Sequence, residues 1–116
     1  MSDPALRRFP RIASSHSVLV TKLESGIEGF AMTKTMALGG CCVVTSERVG
    51  IGSAVELLIA IDRDHVIKAL GRAVYERQLE DGYHEAGIEF IHINDEDAKA
   101  IEGLFETRER PRAPVA

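Results

Sequence analysis

Cysteine, basic charge and long apolar runs are all scarce in this chain, and each scarcity removes a class of protein. Only two of the 116 residues are cysteine, Cys41 and Cys42, and they are adjacent. Neighbours on a strand point to opposite faces, so the pair is badly placed to bridge itself. No disulfide framework and no metal-ligand spacing exist, and the natural setting is a reducing cytoplasm. The most apolar run, Leu57–Ile61, is far too short to span a bilayer. The basic N-terminus is not followed by an apolar region of signal-peptide length. Membrane insertion is therefore not expected.

Lys and Arg total 14 against 18 Asp and Glu, a formal net charge of -4. Binding to DNA or RNA, which usually needs a basic domain, is not expected either. No loop of kinase or nucleotidase type is present to cradle a phosphate. None of His16, His65, His84 and His92 sits at ligand spacing with a cysteine or an acid. No base is identifiable that would turn either cysteine into a nucleophile. Enzymatic activity, a metal and a resident cofactor are not expected.

What is present is ordinary in bulk and uneven in placement. Hydrophobic residues are 45% and charged residues 28% of the chain, which suits one soluble domain with a core that needs no staples. Arg7, Arg8 and Arg11 cluster at the front, and Arg108, Arg110 and Arg112 at the back. The acids collect in Glu76–Glu89 and Asp95–Glu106. An acidic protein with a local arginine cluster points to a small anionic ligand or one specific partner.

Alternation of period two predicts six short strands. His16–Leu23 is the first, rich in Val and Thr. Gly29–Met36 follows, with Phe30, Met32 and Lys34 on one face, and Gly39-Gly40 breaks it. Cys41–Thr45 is short and β-branched. Ala54–Ile61 puts Val55, Leu57, Ile59 and Ile61 on a core face. Val66–Glu76 puts Ile67, Ala69, Gly71, Ala73 and Tyr75 on one side and Lys68, Arg72 and Glu76 on the other. Tyr83–Ile91 turns Ala86, Ile88 and Phe90 inward and Glu85 and Glu89 outward. The period then changes to 3.6. Asn94 is a suitable N-cap, acids fill the first turn, and Ala98, Ile101, Leu104 and Phe105 form an apolar stripe, with an end near Thr107. The expected fold is all-β: a small six-stranded antiparallel barrel with one C-terminal helix. Residues 1–13 read as a flexible arm, 14–107 as barrel plus helix, and 108–116 as a flexible tail.

Two stretches carry chemistry. Arg7, Arg8 and Arg11, stiffened by Pro10, can converge on one ligand, and arginine's planar fork matches phosphate oxygens and the O6/N7 edge of guanine. Thr35-Met36-Ala37-Leu38-Gly39-Gly40 ends in paired glycines, which let a backbone turn sharply or approach a ligand closely. In order and spacing the two stretches resemble the PilZ domain family, bacterial receptors for the second messenger cyclic di-GMP. Arg7 and Arg11 match the family's Arg-x-x-x-Arg, with Arg8 as the commonly seen extra arginine. Gly40 matches the end of its Asp/Asn-x-Ser-x-x-Gly. Gly52–Ile59, Gly71-Arg72-Ala73-Val74, Gly87-Ile88-Glu89-Phe90 and Asn94–Phe105 resemble its later strands and closing helix. The resemblance covers roughly Arg7 to Phe105. It implies a cyclic di-GMP site of Arg7, Arg8, Arg11, Thr35, Ala37, Gly39 and Gly40, and a receptor or adaptor that passes the signal to a protein partner.

The sequence departs from the family at two ligand-contacting positions. Thr35 stands in place of Asp or Asn, and Ala37 in place of Ser. A charged hydrogen bond contributes about 1.5–3 kcal/mol and a neutral one about 0.5–1.5. Losing both costs about 2–4 kcal/mol, or on the order of 30- to 1000-fold in affinity. Weakened binding, altered nucleotide preference and loss of binding are the outcomes this departure allows. The alternative function is a protein-interaction adaptor that binds the nucleotide weakly or not at all.

Overall fold

The computed structural model describes residues 10–109; Arg7 and Arg8 of the arginine motif and the tail from residue 110 lie outside them. Seven strands and one helix follow in the order β1 (Ile12–Ala13), β2 (Ser17–Lys22), β3 (Glu28–Ala37), β4 (Gly40–Thr45), β5 (Ala54–Ala60), β6 (Val66–Gln78), β7 (His84–Ile93) and α1 (Asp95–Glu109). The ring β3-β2-β5-β6-β7-β4 closes on itself through the β3–β4 pairing, and every pairing is antiparallel. This is the expected six-stranded barrel with its C-terminal helix. Closure leaves no long edge exposed for another chain to pair with.

The core is aliphatic. Val18, Met36, Val43, Val55, Leu57, Ile59, Ile67, Ile88 and Ile101 are fully buried. Burying a side chain of this size stabilises the fold by about 1.5–3 kcal/mol. The inward residues of β5 are Val55, Leu57 and Ile59, as alternation predicts, and Ile101 brings the helix stripe onto the same cluster.

Apart from shifts of one or two residues at strand ends, the structure differs from the sequence reading in four respects. Ile12 and Ala13, read as part of the arm, pair with Met36 and Thr35 and begin the sheet, because Ile12 packs against the core. The helix runs two residues beyond Thr107, to Glu109. Tyr75 does not share a face with Ala73: an irregularity between Ala73 and Tyr75 in the β6–β7 pairing inserts Val74 and turns Tyr75 outward. Glu85 lies on the outer face as expected but is only 6% exposed, because its neighbours close over it.

Long-range hydrogen bonds tie the loops to the barrel. Glu76 accepts from the backbone N–H groups of Val49 at 2.6 Å and Gly50 at 3.2 Å, holding the loop before β5 in place. Asn94 caps the helix by accepting from Asp97 N–H at 2.8 Å. Asp97 in turn accepts from Lys68 N–H at 3.1 Å and lies 3.0 Å from His65 Nε2, which docks the helix start on the β5–β6 end. Burial pushes the Asp97 carboxyl up, but the bonds from His65 and Lys68 outweigh it and hold the group below the usual aspartate range.

Two consequences are testable. A Cβ on Gly71 would stand 2.5 Å from Ile88 Cγ2 and 2.9 Å from the Glu89 carbonyl oxygen, so Gly71→Ala should cost about 1–3 kcal/mol, read as a lower urea midpoint. Because the folded pKa of Asp97 is depressed, its contribution is fully present above the unfolded aspartate value of about 3.9 and is lost as pH falls through the folded value. Asp97→Asn should therefore lower the melting temperature at neutral pH, and the deficit relative to the parent chain should shrink as pH is taken below 4.

Candidate functional site

The second motif spans the β3–β4 hairpin. Thr35 and Ala37 belong to the end of β3, Leu38 and Gly39 form the turn, and Gly40 starts β4. Gly39 uses its carbonyl oxygen to accept from Phe90 N–H at 2.8 Å, fixing the turn against β7. Ala37 pairs with Gly40, and Thr35 with Cys42.

A bulge decides which way these residues point. The β3–β4 register shifts between Thr33 and Thr35. Two residues apart on a regular strand, both threonines would face the same way. Instead Thr33 is 3% exposed and turned inward, bonded by its hydroxyl to Ser14 Oγ at 2.6 Å and His16 N–H at 2.8 Å. Thr35 is half-buried on the outside, opposite Cys42.

The front of the chain reaches the same place. Ile12 opposite Met36 and Ala13 opposite Thr35 set Arg11 in line with Ala37. Arg11, Thr35, Ala37, Gly40, Cys41 and Cys42 line one small hollow of about 10 Å³. That volume holds no more than one water. A larger ligand must therefore lie on this face rather than sink into it. Four of the seven residues expected at the site, Arg11, Thr35, Ala37 and Gly40, thus converge, Gly39 forms the adjoining turn, and Arg7 and Arg8 lie outside the described residues.

The face continues across two more strands. One outer row reads Thr35, Cys42, Gly87, Tyr75; the next reads Ala37, Gly40, Glu89, Arg72. Tyr75 Oη donates to Cys42 Sγ at 3.2 Å, although the two residues are two strand spacings, about 10 Å, apart. The tyrosine side chain must therefore lie along the sheet over Gly87. Burial raises the pKa of both the Cys42 thiol and the Tyr75 phenol, and the nearby Arg11 charge opposes that rise in each. Cys42 is consequently a protonated floor residue at neutral pH rather than a nucleophile.

Beside this row sits an ion cluster that alternation alone does not reveal. Glu85 accepts from Lys34 Nζ at 2.6 Å and from Arg77 Nε and a terminal guanidinium nitrogen at 3.2 Å each, and Tyr75 Oη, whose proton faces Cys42, lies 3.5 Å away. The Arg77 bonds come first among the causes that hold the Glu85 carboxyl below its ordinary range. The cluster leaves one cation in excess next to Arg11, so the whole face favours an anion. Cys42, Tyr75, Gly87 and Glu89 were not expected at the site. Bulge positions carry no residue-type signal that would have placed Tyr75 there.

A roomier groove of about 200 Å³ lies at the far end of β4, lined by residues including Val20, Ile27, Phe30 and Val49. Arg11 and the second motif do not reach it. Among the described residues no group of three or more His, Cys, Asp or Glu side chains is placed to hold a metal, and no helix is long and apolar enough to cross a membrane.

The chain is a closed antiparallel barrel whose outer wall carries small residues beside cationic side chains. The chain matches the PilZ domain family over residues 5–107 and belongs to it. No curated protein sequence matches significantly. Among solved structures, the chain is similar to the Bacillus subtilis inhibitor of motility MotI/DgrA, with a TM-score of 0.73 at 17% identity over 89% of this chain and 51% of that one. The PilZ domain of YcgR from Escherichia coli with cyclic di-GMP gives 0.67 at 15% identity over 87% and 89%. The MrkH–cyclic di-GMP complex of K. pneumonia gives 0.69 at 17% identity over 88% and 52%. The chain spans about half the length of MotI and of MrkH.

The Glu85 cluster predicts its own perturbation. Glu85→Ala removes the shared acceptor of Lys34 and Arg77, which are more than half exposed and stay solvated. The expected loss is small, read as a slightly lower urea midpoint, and Lys34→Ala in that background should add little further loss.

Proposed function

We propose that the chain is a cyclic di-GMP receptor that uses its arginine motif and its β3–β4 hairpin as the two halves of one site. The observation that carries this reading is the convergence of Arg11 with Thr35, Ala37 and Gly40 on a single outer face, from segments over twenty residues apart. Family membership and relatives solved with cyclic di-GMP support it.

The residues divide the work by chemistry. Arg11 offers a planar fork to a phosphodiester oxygen or to the O6/N7 edge of a guanine. Arg7 lies four residues earlier and is within about 14 Å of it along the chain, so Arg7 and Arg8 can close on the same ligand. Ala37 and Gly40 keep the floor low enough for a base to approach the sheet, and Thr35 contributes one neutral hydroxyl at its edge. A ligand held at this face changes the surface shown to a protein partner.

A second reading has its own observation. Phe30 is 81% exposed and Met32 43% exposed on the outer face of β3. Phe30 pairs with Leu19, which pairs with Leu58, making an apolar stripe across β3, β2 and β5. A degenerate member that binds a protein constitutively would use such a stripe and would not need the nucleotide.

Calorimetric titration with cyclic di-GMP separates the two. The receptor reading expects saturable heat at micromolar nucleotide, at least tenfold weaker binding in Arg7→Ala and Arg11→Ala, and tightening of on the order of 30- to 1000-fold in Thr35→Asp/Ala37→Ser. No heat at high micromolar nucleotide contradicts it and leaves the adaptor reading.

A further inference from the structure

The family's guanine-contacting Asp or Asn is missing at position 35, yet a carboxylate stands elsewhere on the same face. We infer that Glu89 is the acceptor that makes the site selective for guanine, so that the reading of the base has moved from β3 to β7. This rests on the receptor reading above.

The register places Glu89 there. Gly40 of β4 pairs with Ala37 on one side and with Glu89 on the other. Neither Ala37 nor Gly40 carries a polar side chain, so Glu89 is the next polar group along the row that begins at Arg11. Inward-facing Ile88 is fully buried, which turns Glu89 outward, and it is half-buried there. Glu85 and Gly87 precede it on the outward side of β7, and exposed Ile91 follows it. Glu85 is committed to Lys34 and Arg77, and Gly87 has no side chain.

Glu89 differs from Glu76, Glu85 and Asp97, acids that likewise stand on or against the barrel wall out of full solvent, in having no engagement among the described residues. Among the described residues no hydrogen bond or ion pair engages its carboxylate, although Arg72 is its cross-strand neighbour. Glu76, Glu85 and Asp97 are each occupied by two or more donors. An unengaged, half-buried carboxylate in an otherwise cationic trough is a poor phosphate contact, since it repels the anion. It suits a base that presents donors. The Watson–Crick edge of guanine presents N1–H and N2–H₂ side by side, and a carboxylate accepts from both. Adenine presents a lone pair at N1, which the same carboxylate repels. Arg11 and Glu89 lie about three strand spacings apart, roughly 14 Å, across Ala37 and Gly40, the arginine suited to the phosphate and the glutamate to the base.

The experiment titrates cyclic di-GMP and cyclic di-AMP into the parent chain, Glu89→Gln and Glu89→Asp. The parent chain should bind the guanine dinucleotide at least tenfold more tightly than the adenine one. Glu89→Gln, which keeps the shape and puts a donor against guanine's donors, should lose on the order of ten- to a hundredfold for cyclic di-GMP and nothing for cyclic di-AMP. Glu89→Asp should restore part of the preference. Because Glu89 engages no other side chain, the melting temperature of Glu89→Gln should match the parent's, so a loss of affinity reports on the ligand rather than the fold. Parent-like selectivity in Glu89→Gln overturns this inference and leaves the receptor reading standing. Equal weakening for both nucleotides also overturns it, since that marks a general rather than a base-reading role. No binding of cyclic di-GMP by the parent chain overturns the receptor reading and this inference with it.

Discussion

The candidate site depends on one inserted residue in β3. Between Thr33 and Thr35 the pairing with β4 slips by one position, and Thr35 and Ala37 come to lie outside the barrel instead of inside it. Thr33 stays in, bonded to Ser14 and His16, and thereby anchors the segment that leads to Arg11. The same bulge puts Lys34 where it meets Glu85. One irregularity thus orients the second motif, pins the arm's last residues beside it and seats the neighbouring ion cluster. A second irregularity, at Val74 in β6, brings Tyr75 onto the same face from the other side.

The barrel supplies the rigidity this arrangement needs. Its six-stranded ring fixes the outer rows of β3, β4, β7 and β6 at strand spacing, and the aliphatic interior holds the strands that carry them. Small residues at Ala37, Gly40 and Gly87 leave a low floor, and the charged groups stand around it rather than on it. The surface offers little depth, and Arg11 stands at its margin.

Most of the fold was legible because alternation and glycine placement are local. The alternating aliphatics of β5 and the Asn94 cap with its following acids appear in the structure as read. The convergence of Arg11 with Thr35, Ala37 and Gly40 followed from the family pattern rather than from periodicity. The side of Tyr75 was not legible, because one extra residue in an alternating strand leaves no mark on composition. Nor was the burial of Glu85, which depends on Lys34 and Arg77 arriving from two other strands. Ile12 and Ala13 were read as arm because a two-residue strand is shorter than any pattern that alternation can show.

The central claim is that the ligand lies on the outer wall formed by β3, β4 and β7. Amide chemical-shift mapping during a cyclic di-GMP titration tests it most directly. The account predicts shifts concentrated at Arg11, Thr35, Gly40, Cys42, Gly87 and Glu89, with Leu19, Phe30 and Leu58 unmoved. Shifts concentrated on the Leu19–Phe30–Leu58 stripe, or none on either face, would contradict it.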